Sequence, residues 1–236
     1  MQRPFPLVRD RCMTWRVETH AHTLWSKDSL SRPEAIVRLC RERQITRIAI
    51  TDHNTAEGAL FMKRMAPGLV IVGEEIMTSE GELLAWFVRE SVAPGLSPAE
   101  TIRMLRNQGA VISVSHPFDR LRRGAWRQEQ LERIIDDVDA IEVFNARCVY
   151  AADNERALDF AREQGIPGSV GSDAHCGPEY GQTLQLMRPF DDDPQDFLDA
   201  LRSADALCKR SSHMVHLGST FAKWLKRAGF RRPRQS

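Results

Sequence analysis

The sequence predicts an α/β domain built on a mainly parallel sheet, either open or closed. Two observations carry this. Short Val- and Ile-rich apolar runs recur along the chain, and amphipathic helical patterns lie between them. The runs cover residues 15–17, 47–50, 69–72, 83–88, 110–114, 140–144 and 168–170, mostly four to six residues each, as buried strands are.

The helical patterns carry their own punctuation. Residues 33–40 follow Ser31, a candidate cap, and place Pro33 in the first turn. Ser97 and Glu100 form a capping box opening the helix of Ile102 and Leu105. Residues 154–164 put Ala157, Leu158, Phe160 and Ala161 on one side, and Gly165 ends them. Residues 196–201 start another helix after acidic residues that suit its positive end. Residues 69–88 read as two consecutive strands joined at 79–81, a local break in the alternation. With no internal repeat or linker, one main domain over 15–208 is expected in the chain of 236 residues. An extension would precede it over 1–14, and a basic helix and tail over 209–236 would pack on it.

Composition excludes several classes. The formal net charge of +1 gives no global signal for nucleic acid or membrane, and no apolar run approaches 18 residues. The N-terminus lacks a signal-peptide core. Five cysteines, odd in number and widely spaced, do not suggest a disulfide framework or a CxxC zinc site. A soluble cytoplasmic protein is expected. Charge is uneven, however: residues 209–236 hold eight Lys or Arg and no Asp or Glu.

The chemistry lies at strand ends. Five of the seven histidines, His20, His22, His53, His116 and His175, follow a run, with Glu18, Asp52, Glu74, Glu75 and Asp173 beside them. In a parallel α/β sheet such positions converge on one face. In extended chain, residues i and i+2 point the same way. His20 and His22 can therefore share one ion, and Asp173 and His175 can serve the same pocket. A mixed imidazole–carboxylate shell suits Mn²⁺, Zn²⁺ or Fe²⁺.

These segments resemble the PHP (polymerase and histidinol phosphatase) superfamily of metal-dependent phosphoesterases. The matching stretches are Glu18-Thr-His20-Ala-His22-Thr23, Ser26-Lys-Asp28-Ser29, Ile50-Thr-Asp52-His53-Asn-Thr55, Gly73-Glu-Glu75-Ile76, Ser115-His116-Pro117, Ile141-Glu-Val-Phe-Asn145 and Gly171-Ser-Asp173-Ala-His175, in the family's order over residues 15–190. The resemblance implies a distorted (β/α)7 TIM-like barrel with a trinuclear metal site at its mouth. It assigns His20, His22, Glu75 and Asp173 to a first ion. Glu75, as a bridge, and His116 go to a second, and Asp28, His53 and His175 to a third. Glu75 is preferred to Glu74 because it directly precedes Ile76. One position departs from the pattern. Where many members carry a histidine shortly after the bridging acid, this chain has Glu82, either a carboxylate ligand or a solvent-facing hairpin residue.

Four carboxylates against three divalent ions leave a net charge of about +2, enough to attract a hydroxide and a phosphate. The resulting expectation is phosphoester hydrolysis by a metal-bridged hydroxide, with two to three ions per chain, Mn first and Zn or Fe as alternatives. Asn145 and Arg147 are candidate substrate contacts, Arg147 alternatively a surface residue. Asp52 is expected to orient a ligand histidine, and Glu18 to be either a further inner-layer group or an acid behind the ligands. A nucleotide or other small phosphorylated substrate is expected. Alternatives are 5′–3′ exonuclease action on short DNA or RNA, hydrolysis of a non-phosphate bond, or a non-catalytic interaction barrel. In the tail, Phe221, Trp224 and Leu225 are expected to face the barrel and Lys223, Lys226 and Arg227 to face solvent. The other reading is a basic contact to short nucleic acid or an anionic surface. Cys176 is read as incidental, and His213 and His216 receive no ligand role.

Overall fold

The computed structural model describes residues 13–212 and 215–229. Cys12, His213, the side chain of His216 and the ends of the expected N-terminal extension and C-terminal tail lie outside the described residues.

The chain runs β1 (Trp15–Ala21), α1 (Pro33–Glu42), β2 (Arg47–Ile50), α2 (Glu57–Met65), β3 (Val70–Met77), β4 (Glu82–Trp86), α3 (Pro98–Gln108), β5 (Val111–Val114), α4 (Gln128–Glu132), β6 (Ala140–Asn145), α5 (Ala151–Gln164), β7 (Gly168–Gly171), β8 (Leu184–Met187), α6 (Pro194–Arg202), β9 (Asp205–Leu207) and α7 (Val215–Arg227). All strands join one sheet ordered β7-β6-β5-β4-β3-β2-β1-β8-β9, which nearly closes into a barrel. Pairing is parallel for β1–β2, β2–β3, β5–β6 and β6–β7, and antiparallel on both sides of β4. The expected pair of consecutive strands is thus β3 and β4.

The seven expected runs form β1 to β7. The sheet has two more strands, β8 and β9, laid antiparallel on the outer side of β1. β8, Leu-Gln-Leu-Met, has no Val or Ile to mark it as an apolar run, and β9 is three residues long and wholly exposed. β8 also explains the incomplete closure. It occupies the lower edge of β1, so β1 and β7 form no ladder; the Thr19 hydroxyl donates to Val170 O at 2.6 Å, and just past the end of β7 the His22 amide donates to Ala174 O at 2.8 Å. The capping box at Ser97 is present. Ser31 does not cap α1; its hydroxyl donates instead to His175 O at 3.1 Å.

Strand parity decides what each side chain meets. Ile48, Ile50, Val70, Val72 and Ile76 face the helices, while Val17, Ala49, Ile71, Leu84, Trp86, Val111 and Ala140 fill the barrel interior. Phe197, Leu198 and Leu201 of α6 plug the interior from below, and the Trp86 ring packs tilted against Phe197 at 5.2 Å while its indole N–H donates to Thr19 O at 2.8 Å. Continuing upward with period two, the same interior faces present Glu75 on β3 and Glu82 on β4. Apolar packing below therefore fixes where the polar groups above must point.

Glu74 falls on the opposite face of β3. One carboxyl oxygen accepts Val92 N–H at 2.9 Å, the other accepts no hydrogen bond, and burial pushes its pKa up to about 8. The folded state then holds a proton that the unfolded chain releases near 4.5. Its contribution to stability is full below about pH 4.5 and lost as pH rises through about 8. At ~1.4 kcal/mol per unit, Glu74→Gln should remove up to a few kcal/mol of pH dependence. Urea unfolding of both proteins between pH 5 and 8 measures this: the variant's stability should fall less steeply.

Candidate metal centre

Nine expected ligands come from seven places in the chain, and the structure brings all of them to the mouth. All but His53 are buried, and His53 is partly so. Around Glu75 the distances are short. His20 Nε2 lies 3.5 Å from Glu75 Oε1, His22 Nε2 3.5 Å from Oε2, His53 Nδ1 2.8 Å from Oε2, and His116 Nε2 3.0 Å from Oε1. Asp173 Oδ1 stands 3.0 Å from His22 Nε2 and 3.6 Å from His20 Nε2. On one side, Glu82 Oε2 is 3.6 Å from His116 Nε2; on the other, Asp28 Oδ1 is 3.5 Å from His53 Nε2 and 3.3 Å from His175 Nε2. Glu82 is therefore a buried mouth residue rather than a solvent-facing hairpin residue.

The donor atoms gather in three overlapping groups: His22, His53 and His175; His20, His22 and Glu75; and His53, Glu75 and Glu82. Asp28 Oδ1, Glu75 Oε2 and Asp173 Oδ1 are buried and accept no hydrogen bond. Buried carboxylate oxygens without a donor are costly. Aimed at a ring of imidazole nitrogens, they fit divalent cations.

The surrounding hydrogen bonds set the ring nitrogens. Ser26 Oγ donates to Asp52 Oδ1 at 2.6 Å, so at 3.1 Å it accepts from His22 Nδ1–H, which leaves Nε2 bare toward the centre. Asp52 thus orients a histidine, as expected, but through Ser26; its other oxygen holds the Thr23 hydroxyl at 2.6 Å. His20 Nδ1 faces Glu142 Oε1 at 2.9 Å, and His175 Nδ1 faces Asp173 O at 2.8 Å. Burial, with His175 and His53 alongside, holds the pKa of His22 well below its usual value, so this imidazole is neutral, the form that binds metal. For Asp173, burial works upward, but Arg122 and His20 outweigh it and hold the carboxyl ionised. Burial and the charge of Glu75 push Glu82 the other way, upward.

Two of the expected ligand residues also carry unusual backbone. His116 and Asp173 adopt φ of 24° and 50°, in the left-handed region unusual for non-glycine residues. Gly171 is required beside them. A Cβ there would stand 2.5 Å from Glu142 Oε1 and 2.6 Å from His20 Cβ.

Several placements differ from the expectations, and some residues were missed. Asn145 is buried, and its amide donates to Glu142 Oε2 at 3.0 Å and Asp173 Oδ2 at 3.3 Å, so it steadies carboxylates instead of facing the cavity. Arg147 is buried, not a surface residue. It lines the mouth cavity and donates to Ser219 Oγ at 2.9 Å. Glu18 accepts the Ser172 and Gly181 amides at 3.0 Å each and ties loops together behind the site. Glu179 accepts the His175 and Cys176 amides at 2.9 and 3.0 Å, and Tyr180 OH donates to His22 O at 2.6 Å. Sequence reading assigned no role to Glu142, which also accepts His116 N–H at 2.9 Å; the period-two pattern of β6 was the available signal. It also missed Arg122, which donates to Asp173 Oδ2 and lies 3.2 Å from His116 Nε2. Its only trace was the basic stretch after Ser115-His116-Pro117.

The C-terminal helix departs from its expected facing in part: Arg227 is exposed as expected and Leu225 is half-buried, but two rings and two lysines are exchanged. Phe221 and Trp224 are 56% and 62% exposed, whereas Lys223 Nζ lies 3.3 Å from Asp28 Oδ2 and Lys226 Nζ donates to Leu24 O and Ser26 O. Ionic partners on the barrel outweigh the amphipathic pattern. Together Lys27, Arg122, Arg123, Arg147 and Lys223 surround a cavity of about 430 Å³ whose floor includes Asp28, His53, Glu82 and His175.

Comparison with known proteins agrees with this geometry. The model of the PHP domain matches residues 18–140 and that of a PHP-associated region matches 151–206. An uncharacterised protein of Methanocaldococcus jannaschii is 32% identical over 210 residues, covering 85% of each chain. The chain belongs to the PHP family. Among solved structures, a two-domain protein of Bacteroides vulgatus containing a predicted PHP-like metal-dependent phosphoesterase aligns at a TM-score of 0.67 with 19% identity, over 89% of this chain and 70% of that one. A lesion-specific endonuclease of Pyrococcus furiosus aligns at 0.56 with 14% identity, over 82% and 58%. These two likenesses speak to the fold. Among the described residues no helix is long and apolar enough to cross a membrane.

Glu142 holds His20, His116 and Asn145 together. Glu142→Ala should weaken Mn²⁺ binding about 10- to 100-fold, as loss of a residue that orients ligands does. Calorimetric titration of metal-free protein measures this, with circular dichroism to verify folding.

Proposed function

We propose that this PHP protein is a divalent-metal-dependent hydrolase of phosphate esters, acting on a nucleotide or another small phosphomonoester. The observation that carries this reading is the junction of two features. Glu75 sits among four histidine nitrogens, and directly above lies a cavity edged by five Lys and Arg side chains. His20, His22, Glu75 and Asp173 would hold one ion, Glu75, Glu82 and His116 a second, and Asp28, His53 and His175 a third. Two to three such ions, Mn²⁺ foremost and Zn²⁺ or Fe²⁺ as alternatives, would supply Lewis acidity and a water made nucleophilic near neutral pH.

The chain's own residues do the rest. The Arg147 guanidinium donates to Ser219 Oγ from one edge and lies 3.6 Å from Glu179 Oε1 on another. As one of the residues lining the cavity, it would draw a phosphate by its charge. Arg122 already stands at the His116 nitrogen, so a positive charge faces the second ion position. Asn145 and Glu142 keep Asp173, His20 and His116 in place while substrate exchanges. The cationic rim favours an anionic substrate before any contact forms.

A second reading, an oligonucleotide end as the ester, is favoured by one feature. The exposed rings of Phe221 and Trp224 stack with centroids 6.2 Å apart beside the mouth. Such rings can hold bases, at about 1–3 kcal/mol each. Under this reading Trp224→Ala would raise KM for short oligonucleotides and leave small esters unaffected.

Metal content by mass spectrometry and Mn²⁺-supported hydrolysis of nucleotides, sugar phosphates, histidinol phosphate and short oligonucleotides test the proposal together. The expected result is two to three transition-metal ions per chain and release of phosphate or nucleotide. His20→Ala and Asp173→Asn should each cost at least about a hundredfold in kcat/KM, since residues that merely orient ligands already cost 10- to 100-fold. Protein without bound transition metal, and with undiminished activity in both variants, would overturn it.

A further inference from the structure

Lys223 reaches the mouth from α7, beyond the seven-motif pattern. Asp28 divides its two oxygens. Oδ1, which accepts no hydrogen bond, faces His53 and His175, while Oδ2 lies 3.3 Å from the Lys223 ammonium. α7 is pinned on either side of Lys223. One turn before it, Ser219 accepts from Arg147; one turn after it, Lys226 is seated on the Leu24 and Ser26 carbonyls. The helix is thus fixed while the Lys223 side chain, 43% exposed on an unbranched stem, is free to pivot. Arg122, by contrast, is held between Asp119 and Asp173.

We infer that Lys223 is a substrate-binding residue delivered by the C-terminal helix: it rests on Asp28 and turns to an anionic group of the substrate. The inference rests on the phosphoesterase reading for the identity of that anion. Two charge arguments support it. A divalent ion on Oδ1 would place like charge close to the ammonium, in a site where repulsion is poorly screened. And Lys223 shares one cavity with Arg122, Arg147, His53 and His175, so a short swing brings its Nζ to an anion lying there. In this arrangement Lys223 and the third ion compete for Asp28, and an anion in the cavity relieves the competition.

Lys223→Met keeps the length of the side chain and removes its charge; Lys223→Arg keeps the charge. Three measurements apply to each: calorimetric titration of Mn²⁺ into metal-free protein, binding of inorganic phosphate to Mn²⁺-loaded protein, and KM and kcat for p-nitrophenyl phosphate. For Lys223→Met the expected result is Mn²⁺ binding as tight as wild type or tighter. Phosphate affinity should fall about tenfold, the size of one charge-assisted hydrogen bond, and KM should rise alike with kcat little changed. Lys223→Arg should recover most of the affinity, and melting temperatures should match. Weaker Mn²⁺ binding in Lys223→Met would overturn the inference, since the lysine would then be a prop for Asp28. Unchanged phosphate affinity and KM would overturn it too. Phosphate binding that depends on Lys223 in a protein that cleaves no ester would support it while removing the phosphoesterase reading.

Discussion

Everything at the mouth depends on holding Asp28, Glu75, Glu82 and Asp173 together in a buried space. Carboxylates that close and that dry are not stable as bare charges. The protein answers with imidazoles on every side, with Arg122 on Asp173 and with Lys223 on Asp28. Three of these carboxylates still keep an oxygen with no hydrogen bond. That residue of uncompensated charge is what a divalent cation fits, and it explains why Arg122 and Lys223 turn inward while Lys27 and Arg123 stay exposed. It also explains the tail, whose lysines find better partners at the barrel than in water.

The fold makes this possible through a division of labour along the strands. Below, the interior is apolar and closed by α6, which locks strand register. Above, the same faces carry the polar groups, so register in the core becomes direction at the site. A bridge between Ala21, at the end of β1, and Ala174, just past β7, brings His22 and Asp173 to 3.0 Å. The left-handed backbone at His116 and Asp173 turns two side chains inward from strand ends that would otherwise carry them past. Strain of about 1–3 kcal/mol per such residue is affordable where packing on all sides fixes the loop.

Much of this was legible in the sequence because the signals were local. His20 and His22, or Asp173 and His175, lie two apart on extended chain, and the strands beneath them are continuous apolar runs. Glu75 over Glu74 follows from parity as well as from the motif. Other features were not legible, for physical reasons. Glu142 and Ser26 act through hydrogen bonds to residues far away in sequence. Arg122 reaches the site from a loop, where no period tells which way a side chain points. α7 was misread because an amphipathic pattern assumes that apolar burial decides orientation, whereas here the Asp28 carboxylate and the Leu24 and Ser26 carbonyls decide it. β8 lacks the Val and Ile that marked the other short strands, and β9 is three exposed residues.

The central claim, that Glu75 is the hub of a divalent-cation centre, is tested most directly by anomalous diffraction from crystals grown with Mn²⁺. The account predicts at least two anomalous peaks, each roughly 2.0–2.3 Å from a Glu75 carboxylate oxygen and from histidine nitrogens of the mouth. Peaks confined to surface carboxylates, with none beside Glu75, would contradict it.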